Sequence, residues 1–412
     1  MSPWLQQFEH NIQALGFSNE TVQALSLESP VPVVKPDFKC RQPEQFQRHL
    51  HNFMRTLPGL EAIYDTPNAP DLKKCCDISF KYPRLLQQLQ LLEQLNPAHY
   101  YHALFSALAG FAIAKDVDLN EESREFAFLA GLYHDIGFLA YPITPAIEHL
   151  NDSHTHDPAI RVHGAVGAGM VKRLSRAPQA LCDIIRDHHE RNDGTGYPRA
   201  SLNETNDITA IVAVTDLFVR ATNEYSHYPL HCHQLTRCIL QLHNNEFPHK
   251  ILNSAINLTK HKADITEPPS NQANAGALTT QGQKIAESHK DLNRALNLLI
   301  QYRPEAQNVA LRKLQEQLLT GIHNIGIEQQ EYAASNEALE NKNTLELVNL
   351  NVFQNEMCHL IGRLYTVLHE RTSQLHSHEK SLKIQLHDIL ERIQLPSLIT
   401  PKSNITIQVG AK

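Results

Sequence analysis

What this chain has little of narrows the field first. Lys and Arg together number 37 against 44 Asp and Glu, a formal net charge of −7. The broad basic face with which a general nucleic-acid binder displaces counterions is therefore missing, and a nucleic-acid duplex is not an expected partner. A small anion needs only local positive charge and is not excluded. No run of about eighteen apolar residues occurs, and the first thirty residues lack a basic start leading into an apolar stretch. Neither a membrane partner nor export is expected, and the cytoplasm is the expected compartment. The seven cysteines (Cys40, Cys75, Cys76, Cys182, Cys232, Cys238 and Cys358) form no CxxC pair and read as reduced thiols.

What is present is an ordinary globular composition, 42% hydrophobic and 20% charged over 412 residues, enough for two or three domains. Helical spacing recurs along the chain. Trp4, Phe8, Ile12 and Leu15 predict a short amphipathic helix, and Pro30, Pro32 and Pro36 mark a loop after it. A helix is expected over 42–57, interrupted by Pro67, Pro70 and the Cys75-Cys76 pair. Residues 83–95 form a strongly apolar helix that Asn96-Pro97 ends, and the next helix carries His102. Residues 122–139 read as one further helix with His134 and Asp135 at its buried end.

His163 opens a helix in which Gly164, Gly167 and Gly169 permit close approach of a neighbour. Residues 207–223 place Asp216 within an apolar helical face. The stretch 263–283 is rich in Pro, Ser, Asn, Gly and Gln and reads as a linker. Leucines at helical spacing follow over 284–302 and 309–325. Leu350, Phe353, Met357, Leu360, Leu364 and Val367 then form a heptad-like stripe, which serves intrachain bundle packing or a homodimer through the C-terminal helices. The expected organisation is an N-terminal helical region at 1–90, a core at 91–265 and a C-terminal helical region at 284–395.

Histidine is the compositional excess, 25 residues in all. Neutral imidazole and carboxylate are the usual ligands of Fe, Mn, Zn and similar ions. The candidates are His102, His134, Asp135, His163, His188, His189 and Asp216. Neighbours on a helix point about 100° apart, so His188 and His189 are expected to serve different ions. Two divalent ions follow, with Asp135 bridging them as the catalytic carboxylate and a bridging hydroxide attacking phosphorus. In the loop after the paired histidines, Gly194 and Gly196 permit positive φ, Pro198 fixes a turn, and Tyr197 offers a ring to stack on a base. His149, His154 and His156 read as exposed polar residues, and His231-Cys232-His233 as structural.

Taken together, HDIG at 134–137, HHERNDGTGYP at 188–198, His102 in HALFSALAGFAIA, His163 in VHGAVGAGM and Asp216 in IVAVTDLF resemble the HD-GYP domain. The resemblance covers roughly residues 95–265. It implies an all-helical HD core, a two- or three-metal centre with Fe or Mn, and cyclic di-GMP or a related cyclic dinucleotide as the substrate of a phosphodiesterase in bacterial signalling. It also implies that Gly194, Gly196, Tyr197 and Pro198 form the substrate loop. The chain departs from the family pattern at three places. Phe138 stands where the family carries a lysine after HDIG. Ala98 stands where some members carry a third-metal glutamate, which favours two ions. Glu224 to Tyr228 replaces basic residues that bind the ligand's phosphates. A second expectation is therefore a weak or inactive nucleotide receptor or protein-interaction scaffold.

Overall fold

A computed structural model of the chain describes residues 38–57, 59–64, 66–140, 162–192, 196–198, 205–226, 228, 231–261, 275–302, 312, 315–316, 344–373, 375 and 379–395. The chain is all-α, with no strand among the described residues. These residues divide into two compact units. One holds 38–140, 162–222 and 243–261, and the other holds 223–242 and 275–395. The expected helix at Trp4 to Leu15, the loop histidines His149, His154 and His156, and most of 309–325 lie outside the described residues.

In the first unit the helices are α1 (Pro43–Thr56), α2 (Glu61–Tyr64), α3 (Leu72–Phe80), α4 (Pro83–Leu95), α5 (Pro97–Asp116) and α6 (Glu121–Tyr133). A 3-10 turn, Ile136–Ala140, precedes α7 (His163–Ser175), α8 (Gln179–Asp187), α9 (Asp207–Glu224) and α11 (His249–Leu258). Helix α9 runs two residues past the end of this unit, at Thr222. Helix α10 (Cys232–Leu242) belongs to the second unit with α12 (Ala275–Tyr302), α13 (Thr344–Ser373) and α14 (Lys380–Leu390).

Helix α5 is the axis of the first unit. Asn96 caps it by accepting from the His99 amide at 3.2 Å, and Pro97 supplies a preset φ at its start. Every residue from His102 to Ala114 is buried, as expected of a helix apolar on all sides. Its neighbour α6 starts from an Asn120 cap with Glu121 and Glu122 in the first turn, where the helix dipole favours acids. The two helices meet backbone to backbone: a Cβ at Gly131 would lie 2.7 Å from Ser106 and Ala107 main-chain atoms. That contact brings His102 and His134 onto one level.

Helices α1 and α3 cover the α4 side. Phe46, Leu50, Phe53 and Met54 of α1 are buried, and Phe46 meets Phe80 edge to face at 6.1 Å. An Arg41 to Glu93 fork ties the entry of α1 to α4. Cys75 and Cys76 do not interrupt a helix. They sit inside α3, both buried, where they fill core volume as small apolar groups. The Nε2 of His49 is buried without a hydrogen-bond partner, and its ring lies 5.7 Å from that of Tyr100. Burial, aided by Arg41, holds His49 down to about 4.

The folded His49 therefore has a lower proton affinity than the unfolded one. Its contribution to stability is full above about pH 6.5, the unfolded value, and is lost as pH falls toward about 4, up to about 3 kcal/mol. Urea unfolding of the wild type across this window should fall more steeply than that of His49→Gln. Equal slopes would show that His49 is not a buried neutral group.

The second unit has its own core, with Ile285, Leu292, Leu296 and Leu299 of α12, Met357, Ile361, Leu364 and Val367 of α13, and Leu382, Leu386 and Leu390 of α14. In the heptad-like stripe, Met357, Leu364 and Val367 belong to this core and Leu350 and Leu360 pack against it, so intrachain packing uses them. The linker expected at 263–283 gives way to helix at Ala275. Ala277, Leu278, Gln281 and Ile285 fall on helical spacing, with Leu278 and Ile285 fully buried, and burial overrides the polar composition.

Candidate metal centre

Helix α6 stops at Tyr133, six residues short of the 139 expected, and the chain turns there. The cause is tertiary. A Cβ at Gly137 would lie 2.0 Å from the His163 carbonyl oxygen and 2.8 Å from the Gly167 nitrogen, so the turn rests directly on α7. His134 and Asp135 thus stand at a helix exit, opposite the first turn of α7, where His163 begins. Gly164 serves the other side of α7, since its Cβ would lie 2.9 Å from the Arg186 carbonyl at the end of α8.

The paired histidines are also at a helix exit. Helix α8 ends at Asp187, and His188 is its C-cap. His188 and His189 are therefore not on regular helix, and the reason for expecting them to face different ions does not hold. The His163 Nε2 atom lies 3.1 Å from His188 Nε2 and 3.2 Å from His189 Nε2.

All seven candidates converge. Asp135, His163, His188 and His189 offer ligand atoms within 4.8 Å of one another, and so do His102, His134 and Asp135. Asp135 belongs to both groups. Its Oδ1 lies 3.1 Å from His163 Nε2 and its Oδ2 lies 3.3 Å from His134 Nε2. Asp216 on α9 adds a second carboxylate, 3.1 Å from His102 Nε2 and 3.7 Å from His189 Nδ1. His102, His134, Asp135, His163 and His188 are buried, and His189 and Asp216 are partly exposed.

This donor set fits a cation. His134 Nδ1 donates to the Gly131 carbonyl at 2.8 Å, and His188 Nδ1 donates to the Ile185 carbonyl at 2.7 Å. In the neutral rings both Nε2 atoms are then lone-pair donors aimed inward. His102 Nε2 lies 3.1 Å from His134 Nε2, so two imidazole lone pairs face each other unless a proton or a cation stands between them. A positive charge among them removes that conflict.

Electrostatics point the same way. Burial pushes the Asp135 and Asp216 carboxyls up, but neighbouring histidines outweigh it and hold both well below the usual carboxylate range. Burial lowers His188 and His189, assisted by adjacent histidines, so both are neutral at pH 7. Burial also opposes charge on His134, yet Asp135 and Asp216 raise it to about 9. A bound cation would take the place of that proton.

The loop after His189 is held by residues that motif reading passed over. Arg191 donates to the His188 and Glu190 carbonyls at 3.3 and 3.1 Å and lies over the Phe247 ring. Glu246, which accepts from His243 at 2.7 Å, approaches Arg191 at 3.8 Å. Tyr197 donates its amide to the His189 carbonyl at 3.2 Å, and its ring stacks on His189 with centroids 4.4 Å apart. Gly196 is needed for close approach and not for positive φ: its Cβ would lie 2.3 Å from the His189 carbonyl, and Gly59 is the positive-φ glycine among the described residues. Gly194 lies outside the described residues, and Pro198 follows Tyr197 through a cis peptide.

Phe138 is buried in the 3-10 turn. Its ring stacks on His163, centroids 4.2 Å apart and planes 17° from parallel, and meets His99 edge-on at 5.1 Å. His99 was also missed, although its place three residues before His102 puts both on one face of α5. No helix among the described residues is long and apolar enough to cross a membrane.

Comparison with known proteins agrees with this geometry. The chain is 31% identical over 165 residues to a cyclic di-GMP phosphodiesterase of Pseudomonas aeruginosa, the aligned part covering 39% of each chain. It is 32% identical over 120 residues to a 3'3'-cGAMP-specific phosphodiesterase of Vibrio cholerae, covering 27% of this chain and 26% of the relative. A cyclic di-GMP phosphodiesterase response regulator of Xanthomonas campestris is 30% identical over 115 residues, 27% of this chain and 30% of its own. The chain thus spans about two fifths or less of the length of these relatives. No solved structure matches it. A protein-family model described as an HD domain matches residues 78–234, the span that contains all seven clustered side chains. Residues 78–234 of this chain are an HD domain.

Proposed function

We propose that the chain is a metal-dependent phosphodiesterase that opens cyclic di-GMP or a related cyclic dinucleotide in the cytoplasm. The observation that carries this reading is the sharing of Asp135 by two ligand groups, His102 and His134 on one side and His163, His188 and His189 on the other. Two divalent ions held there, Fe or Mn by donor type, would supply Lewis acidity that activates water and polarises a phosphoryl oxygen. The protein's own contribution is orientation. Asp135 holds the two groups in register, the Gly131 and Ile185 carbonyls fix His134 and His188, and Asp216 links His102 to His189. Gly194, Gly196, Tyr197 and Pro198 would shape the substrate side. The names of the three relatives support the choice of substrate class.

A second reading, a nucleotide receptor or scaffold with little turnover, is favoured by one observation. Phe138 puts an apolar ring where the HD-GYP pattern has a lysine, so no cation is offered there to a phosphate.

Metal analysis of anaerobically purified protein, joined to a turnover assay with cyclic di-GMP and 3'3'-cGAMP, tests both. About two ions per chain with a linear product supports the enzyme, two ions and tight nucleotide binding without product supports the receptor, and neither metal nor hydrolysis defeats both. Because the proton on His134 competes with the cation, Mn²⁺ affinity should rise with pH until about 9, where His134 is half deprotonated, and flatten above it. An affinity independent of pH between 6 and 9 would remove His134 from the ligand set.

A further inference from the structure

The ring planes of the clustered histidines are fixed by two different devices. His134 and His188 are each tied by an Nδ1 hydrogen bond to the carbonyl three residues back. His163 and His189 are each covered on one face by an aromatic ring, His163 by Phe138 at 4.2 Å and 17°, His189 by Tyr197 at 4.4 Å and 23°. The two covered imidazoles are the pair whose Nε2 atoms approach to 3.2 Å, with their rings nearly perpendicular at 80°.

Resting on the metal-centre reading above, we propose that Phe138 and Tyr197 are positioning residues: an aromatic clamp that sets the planes of His163 and His189 so that both Nε2 atoms meet at one cation. The geometry explains why stacking suits this place. An imidazole that ligates through Nε2 must keep its lone pair in the ring plane pointing at the ion, and rotation about χ2 swings that lone pair away. A parallel ring at van der Waals distance blocks the rotation while leaving the edge open. Phe138 is itself wedged, with its face on His163 and the His99 ring against it at 79°. It sits in the Ile136–Ala140 turn, which Gly137 seats on α7, so its backbone cannot retreat. Tyr197 is similarly anchored through its amide to the His189 carbonyl and through Gly196 to the loop beneath.

The clamp also assigns a consequence to the missing lysine. An ammonium at position 138 would stand beside His163 among buried imidazoles and would compete with a cation for the same field. On this argument Phe138 stiffens the ligand set by apolar contact.

The test is Mn²⁺ binding by titration calorimetry on the full chain, with the unfolding temperature of each metal-free variant measured alongside. Phe138→Leu and Tyr197→Leu keep apolar volume and lose the parallel ring; each should weaken Mn²⁺ about ten- to a hundredfold, the range for groups that orient metal ligands. Metal-free unfolding temperatures should stay near that of the wild type. Tyr197→Phe, which keeps the ring, should restore affinity to within about twofold of wild type. Phe138→Lys should be the weakest binder of the set.

Leucine variants that bind Mn²⁺ as tightly as wild type would overturn the clamp while leaving the phosphodiesterase reading intact, as would a Phe138→Lys variant that binds as well and gains hydrolysis. A wild type that binds no Mn²⁺ would defeat both. Should Phe138→Leu fail to fold, the Tyr197→Leu and Tyr197→Phe pair decides the question alone.

Discussion

Asp135→Asn should weaken Mn²⁺ binding at least a hundredfold and take hydrolysis below detection. Both carboxylate oxygens are in use, Oδ1 toward His163 and His188 at 3.1 and 3.8 Å, Oδ2 toward His134 and His102 at 3.3 and 3.7 Å. Asparagine keeps the shape but replaces one oxygen by an NH₂ that can only donate, and it removes the negative charge that balances buried positive charge. Breaking a buried charge pair by removing one partner costs about 3–5 kcal/mol, and each 1.4 kcal/mol is about tenfold in affinity. The comparison needs circular dichroism of the metal-free proteins, because the variant should retain its helices. A folded Asp135→Asn that binds Mn²⁺ like wild type would rule out the shared-carboxylate centre.

Gly137→Ala should be the most damaging glycine-to-alanine change among the described residues. The added Cβ would stand 2.0 Å from the His163 oxygen, 2.8 Å from the Gly167 nitrogen and 2.9 Å from the His163 carbonyl carbon. All three are main-chain atoms of α7, so no side-chain rotation relieves the overlap. Overpacking that side chains can absorb costs about 1–3 kcal/mol. Separating two backbone segments should exceed that, and the unfolding temperature should fall on the order of 10 °C. The displacement moves Asp135 away from His163, so metal should be lost even in the fraction that stays folded. An unfolding temperature within about 2 °C of wild type would show that the turn does not bear on α7 as described.

Much of this was legible in the sequence, and the part that was not has a common cause. Asn96-Pro97 announced the start of α5, and the polar residues His102 and Asp216 within apolar helical runs announced that their helices were buried around something charged. These are local signals. Where α6 ends was not local: Tyr133 to Leu139 reads as helix, and only the approach of α7 to Gly137 stops it. The end of α8 at Asp187 carries no proline or glycine either, and with it went the correct geometry of His188 and His189. The roles of Arg191 and Glu246 depend on chain segments meeting in space, which spacing cannot reveal. Phe138 was legible as a substitution but not as a contact, since its partner His163 belongs to another helix.

The side chains of the cluster come from α5, the exit of α6, the start of α7, the exit of α8 and α9. No pair of adjacent helices contains it, so the cluster exists only where all five segments meet. A chain that ends before residue 216 cannot bring all seven side chains together, so a cation that needs them all would be held only after these five segments have met.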